Sequence, residues 1–143
     1  MKNKKIIILL FLLLGFFACD NSETNYELAM LYLGRTEGCN LFGEGDVNIV
    51  ADSQSNVYNT TSSQVEFAFV KDFVYRLNMV NKIPKTGWTD TIQHIGMQDG
   101  YVGRLLMDDG SYKYCRFFVC NDNYDANANE YLLLKYQSDF VVK

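Results

Sequence analysis

The chain has one proline, one histidine and one tryptophan in 143 residues, and each scarcity narrows what it can be. A single Pro84 leaves no proline-rich linker, and no repeat or low-complexity tract divides the chain. With His94 alone, no histidine pair exists to hold a metal, and any histidine-assisted nucleophile must act through that one ring. Positive charge is also in deficit, with 13 Lys and Arg against 17 Asp and Glu. Phosphate backbones need a basic surface, so the reading is no nucleic-acid partner. Long apolar runs are missing as well, except for one near the start.

That run is Ile6 to Phe17, broken only by Gly15, preceded by Lys2, Lys4 and Lys5 and followed by Ala18-Cys19. Charged, apolar and small-residue regions in this order make a secretory signal. About a dozen apolar residues are too few for a spanning helix, which needs roughly 20. A cysteine directly after the small residue, in Phe16-Phe17-Ala18-Cys19, resembles a lipobox with Phe16 where leucine is usual. Residues 1–18 are read as a lipoprotein signal peptide, Cys19 as the acylated mature N-terminus, and 19–25 as a lipidated tether rich in polar and acidic residues. The expected location is the cell envelope, lipid-anchored at the outer membrane.

Residues 26–143 are read as a single β-rich domain of ordinary size. Without the signal, ten Lys and Arg face seventeen Asp and Glu, a net charge of −7. Cys39, Cys115 and Cys120 remain once Cys19 is used. Cys115 and Cys120 differ by an odd number along one strand, so they point to opposite faces and do not pair with each other. Buried thiols are expected, with a Cys39 disulfide to one of them as the alternative.

Alternation and Val, Ile and Phe enrichment mark strands at residues 47–50 and, more clearly, 65–70. Residues 71–83 place Phe73, Leu77 and Val80 at helical spacing behind a capping Asp72, which predicts one short helix. Strands follow at residues 89–95, 101–107, 112–120 and 131–136, with turns at 96–100 and 108–111 and a polar loop at 121–129. The fold expected is mainly β, a small antiparallel meander curled into a barrel or sandwich with at most one short helix; the alternative is an α+β roll.

Four ordered pieces, Lys82-Ile83-Pro84-x-x-Gly87-Trp88, Gly100-Tyr101-Val102-x-Arg104, Tyr114-x-Arg116-x-Phe118-Val119 and Lys135-Tyr136-Gln137-x-x-Phe140, resemble a family of exported Bacteroidetes lipoproteins of uncharacterised function. The resemblance covers about residues 65–140. It departs at Cys115, where the family has a small residue, and in the loop from Tyr124 to Glu130. What it implies is the address and a continuous fold; it brings no catalytic residues.

Candidate sites follow from residue type. Trp88, with Tyr101, Tyr112, Tyr114 and Tyr131, can form an aromatic platform for stacking on sugar rings, with Asp90, Asp99 or Gln98 giving hydrogen bonds, and Pro84 and Gly87 shape the loop that carries the indole. Packing within the sheet competes for the same rings. Asn123, Asp125 and Asn127 offer oxygens at alternate positions like the front of a calcium loop, but Ala128 stands where glycine is needed and Leu134 where the bidentate glutamate belongs. Arg104 and Arg116 lie mid-strand among apolar neighbours and call for carboxylates such as Glu66 or Asp90. No convergent catalytic set and no cofactor motif is read, so the expected role is a non-catalytic binding or structural module for a glycan or an envelope protein. Two alternatives stand beside it: a hydrolase using an acidic pair such as Asp108 with Asp109 or Asp90 with Asp99, and an assembly subunit offering an edge strand.

Overall fold

The computed structural model describes residues 25–142; the signal peptide and Cys19 lie outside the described residues. Among these residues eight strands build two antiparallel sheets. The larger runs in the order β1 (Glu27–Tyr32), β8 (Glu130–Gln137), β7 (Tyr112–Tyr124), β6 (Gly100–Leu106), β4 (Val65–Lys71); the smaller is β2 (Ile49–Ala51), β3 (Val57–Asn59), β5 (Thr91–Ile92). The mainly β expectation holds, with the arrangement of a sandwich.

Turn chemistry closes the central hairpins. Between β6 and β7 the Met107 amide donates to Ser111 O at 2.8 Å, Gly110 adopts φ +83°, and Asp109 Oδ1 accepts the Ser111 amide at 2.9 Å. Glycine supplies the left-handed conformation without a Cβ clash, and the aspartate ties down its own turn.

Strand periodicity sorts side chains onto two faces. Facing the smaller sheet are Ala29, Leu31, Phe67, Leu105, Cys115, Phe117, Val119 and Leu134, packed against Ile49, Ala51, Val57 and Ile92. Phe67 and Phe117 meet edge to face with centroids 5.9 Å apart, a preferred aromatic geometry. The opposite, outer face carries Val102, Phe118 and Cys120. Among the described residues no second sheet covers it. Its cover is an irregular segment from Asp72 to Trp88, which lays Val74, Leu77 and Val80 on it, together with Phe140 near the C-terminus. Phe140 is held by its amide on Tyr114 O at 3.1 Å.

The short helix expected over 71–83 is replaced by a single 3-10 turn, Leu77–Met79. Phe73 sits at φ +53°, outside any right-handed helix, and the Val74 amide donates across to Gln98 O at 2.9 Å instead of along its own segment. Burial of Val74, Leu77 and Val80 at a spacing of three suits an irregular strap as well as a helix. The strand expected at 89–95 shrinks to β5, although Thr89 exchanges both backbone hydrogen bonds with Phe67. Conversely, β7 runs four residues beyond the expected end, through Tyr124, because Asn121 to Tyr124 pair with β8 past a bulge between Val119 and Asn121. Strands β1 and β3 lie outside the stretches that the sequence pattern marks as strands.

The inner layer has little slack at Gly103. A Cβ built there stands 2.8 Å from Cys115 Sγ and 3.1 Å from Phe42 Cζ, both on buried residues. Gly103→Ala is therefore expected to destabilise the domain by about 1–3 kcal/mol, as overpacking does. Denaturant unfolding measures it, and wild-type stability would mean that this layer is looser than described.

Candidate functional site

One cross-strand row of the outer face carries the site. Glu66 on β4 lies opposite Arg104 on β6, and Arg104 opposite Tyr114 on β7. Such direct neighbours have Cβ atoms about 5 Å apart, close enough for an ion pair. Arg104 Nε and Nη2 both reach Glu66 Oε2 at 2.7 Å. Fixed on this side by the carboxylate, the guanidinium is flat and weakly hydrated, which suits it to stacking on aromatic faces. Its carbon lies 4.2 Å from the centre of the Trp88 ring and 4.5 Å from that of Tyr112. Tyr114 stands at 6.3 Å from Trp88 and 6.2 Å from Tyr112, centroid to centroid. The result is a ladder of Trp88, Arg104 and Tyr112 with Tyr114 beside it. Each cation–π contact contributes about 0.5–2 kcal/mol.

Local chain geometry explains how the indole gets there. Pro84 and Gly87, the latter at φ +82°, turn the loop so that Trp88 Nε1 donates to Pro84 O at 3.1 Å. Thr89 then pins the exit to β4 through its paired bonds with Phe67. Trp88 is half-buried in the outer layer, folded back on the sheet rather than held out at a loop tip.

Beside the ladder lies a groove of about 570 Å³ lined by Asn59, Ser63, Gln64, Glu66, Asp90, Arg104 and Tyr112, among others. Its size matches small-molecule sites. Carboxylates, amide, hydroxyl and phenol converge with one accessible ring, Tyr112, which is 40% exposed.

The expected platform residues separate. Trp88, Tyr112 and Tyr114 come together, but Tyr131 pairs with Tyr32 at 5.8 Å, and Tyr101 belongs to the inner layer, where it stacks on Phe117 at 5.8 Å and meets Phe69 edge on at 5.5 Å. Burial, with the nearby Asp99 charge, pushes its phenol up to about 12. The register accounts for this: Tyr101 and Arg104 differ by an odd number and so face opposite ways. Tyr112, Glu66 and Arg104 were legible as strand residues, yet their assembly into one ladder depends on Trp88 arriving from a distant loop.

The other candidates are held in local structure. Asp125 Oδ1 accepts the amides of Asn127 at 2.8 Å and Asn129 at 3.0 Å, and Oδ2 accepts Asn129 Nδ2 at 3.0 Å. Asn123 Oδ1 accepts the Tyr124 amide. These oxygens are committed to the turn, and among the described residues no three His, Cys, Asp or Glu side chains converge as a metal site. The Asp52–Asn56 turn repeats the Asp125 pattern: Oδ1 takes the amides of Gln54 and Asn56, and Oδ2 takes Asn56 Nδ2. His94, at φ +48°, serves that second turn, with Nδ1 3.0 Å from Gln54 O and its amide on Asn56 Oδ1. Of the acidic pairs, Asp109 and Asp99 cap their own turns through Ser111 and Gly96, and only Asp90 reaches the groove.

Arg116 has partners on two neighbouring segments. It bonds Gln137 Oε1 at 2.8 Å and Val80 O at 3.0 Å, tying the cover to the sheet. Cys39 and Cys115 are free thiols, with burial pushing the first up to about 12 and the second higher. Cys120, on the outer face, is disulfide-bonded.

Comparison with protein-family models, with curated proteins and with solved structures finds no match.

The twin turns have a consequence for acid stability. Backbone and side-chain bonds from Asn56 and Asn129 hold the Asp52 and Asp125 carboxyls below the usual range. A folded value below the unfolded one, about 3.9, gives stability that is present above that pH and lost as pH falls through the lowered folded values. Asp125→Ala is expected to lower the melting temperature at pH 7 and to lessen its fall between about pH 4 and pH 2; an unchanged acid limb would contradict the assignment.

Proposed function

We propose that the chain is a lipid-anchored cell-envelope protein whose domain binds a glycan, without reacting with it, in the groove beside the Trp88–Arg104–Tyr112 ladder. The observation that carries this reading is the groove's composition. Sugars present apolar C–H faces and rings of hydroxyls, and they are held by an aromatic face together with planar amide, carboxylate and guanidinium groups. Here Tyr112 supplies the face, while Gln64, Glu66, Asp90 and Arg104 supply directional hydrogen bonds. Arg104 is neutralised by Glu66 in place, so the site favours a neutral, polyhydroxylated ligand over a strongly charged one. Carboxylates committed to turns, at Asp99 and Asp109, argue against the hydrolase alternative.

A second reading, an assembly subunit, is favoured by a different observation. Strand β1 lies at one edge of the larger sheet and exposes Leu28 and Met30, as suits addition of a strand from a partner.

The anchor reading rests on Lys2, Lys4 and Lys5, the apolar run and Ala18-Cys19. Intact mass of the membrane-extracted chain is expected to show acyl chains on Cys19, and a soluble product without acyl mass would overturn the anchor. For the groove, a glycan array probed with the detergent-solubilised chain is expected to return neutral oligosaccharides. Tyr112→Ala, at the rim, is expected to weaken the best of them about tenfold, roughly 1.4 kcal/mol for one lost aromatic contact. Absence of any glycan signal, or affinity indifferent to Tyr112→Ala, would overturn the groove assignment.

A further inference from the structure

The geometry points to a second surface: the cover segment and the turn beside it form a basic, aromatic face that rests on an anionic phospholipid bilayer. The inference depends on the anchor half of the proposed function and not on the groove.

Exposed apolar side chains gather at the Gly100 end of β6. Phe73 is 73% exposed, Tyr75 57%, Phe69 51% and Met97 47%. The hydrogen bond from the Val74 amide to Gln98 O sets the Phe73–Tyr75 stretch against the Met97 turn, and Phe69 closes the neighbouring end of β4. Monomeric proteins rarely leave such a cluster open to water without a partner for it. Phe73 adds a second sign, because a bulky residue at φ +53° is a backbone outlier. That strain is not compensated by burial of the ring, and strain of this kind collects at contact sites.

The charge distribution names the partner. Residues 69–88 carry Lys71, Arg76, Lys82 and Lys85 against Asp72 alone, a net charge of +3, while the rest of the chain from Cys19 onward carries −10. All four cations are exposed. Aromatic rings flanked by Lys and Arg are the side chains that settle at a membrane interface, the rings at headgroup level and the cations on anionic lipid.

The course of the chain brings this face within reach of a bilayer. Tyr26 belongs to the same outer layer as Leu77 and Val80, so the chain enters the domain on the side of the cover. The next residue, Glu27, heads a cross-strand row through Tyr136, Phe117 and Tyr101 to Phe69. Four spacings of about 4.8 Å put the entry roughly 19 Å from Phe69. Seven residues from Cys19 to Tyr26 span at most about 25 Å. An acylated Cys19 therefore tethers the domain closely enough for the aromatic tip to touch the same membrane. Arg104 and Leu106, which line the groove, lie toward the other end of β6, so contact at the tip leaves the groove open.

The test uses the acylated chain in phosphatidylcholine vesicles with and without phosphatidylglycerol, and brominated acyl chains as quencher. Wild type has Trp88 as its sole indole and sets the baseline; Phe73→Trp reports the tip. Strong quenching of the added indole, deepened by phosphatidylglycerol, is expected. Lys71→Gln or Arg76→Gln in that background is expected to lower the ratio of contacting to free domains about fivefold each, the weight of one cation near an anionic surface. Phe73→Asn, which tolerates positive φ, is expected to hold or raise the melting temperature while abolishing the slowing of hydrogen exchange that vesicles impose on residues 72–76. An indole at 73 quenched no more than Trp88, or indifferent to phosphatidylglycerol, overturns the proposal. Shielding of that indole from aqueous iodide without bromolipid quenching overturns it in favour of a protein partner or a second copy. An acylated chain without quenching removes this surface and leaves the anchor, whereas quenching of a chain without acyl mass removes the anchor and leaves the surface.

Discussion

A central sheet that is apolar on both faces needs two covers, and most of this structure follows from meeting that need with about 120 residues. Strands β6, β7 and β8 bury Leu105, Phe117 and Leu134 on one side and Val102, Phe118 and Cys120 on the other. The smaller sheet covers the inner face as one layer of a sandwich. Among the described residues no helix or sheet is left for the outer face; an irregular strap covers it and contributes Val74, Leu77 and Val80. Leaving those outer residues in water would forfeit about 25 cal/mol for each Å² of apolar surface.

The same constraint creates a charge problem. Arg104, Arg116 and Lys135 all project from the outer face, where an unpartnered cation is costly. Each is accommodated differently. Lys135, fully buried, sets its ammonium 4.0 Å from the centre of the Tyr26 ring. Arg116 bonds the backbone of the strap and lies over Phe140. Arg104, nearest the β4 edge, takes a carboxylate from Glu66 and two aromatic faces. This last arrangement borders an open groove. The candidate site is thus an extension of the packing scheme at the point where the strap ends.

How much of this could be read from residue order depends on the local signal. Alternation in residues 65–70, 101–107 and 112–120 located β4, β6 and β7, because each strand keeps period two over a well-covered face; β8 was marked by its apolar run after a polar loop. The strap misled because spacings of three and four occur in helices, and nothing local shows that Phe73 turns left-handed. Strand β1 escaped notice since Leu28 and Met30 are apolar on its exposed face as well, which erases alternation. The polar end of β7 looked like a loop because both of its faces are solvated. Trp88 stood out by its uniqueness, and Tyr114 lies where a platform needs it. Tyr101 was separable by parity alone, since a residue three positions from Arg104 must face the other way. Glu66 as the partner of Arg104 was among the possibilities, but its choice over Asp90 is a matter of register.

If the strap is a full second cover, it opens only when the sheet does. Amide hydrogen exchange resolved by residue tests this directly. The Val74 amide, bonded to Gln98 O, and the Val119 amide, bonded to Asp99 O, are predicted to exchange with the same free energy as the centre of β6 and β7, equal to that of global unfolding. Exchange of Val74 through a low-energy opening, while β6 and β7 stay protected, would contradict a sheet that depends on covers over both of its faces.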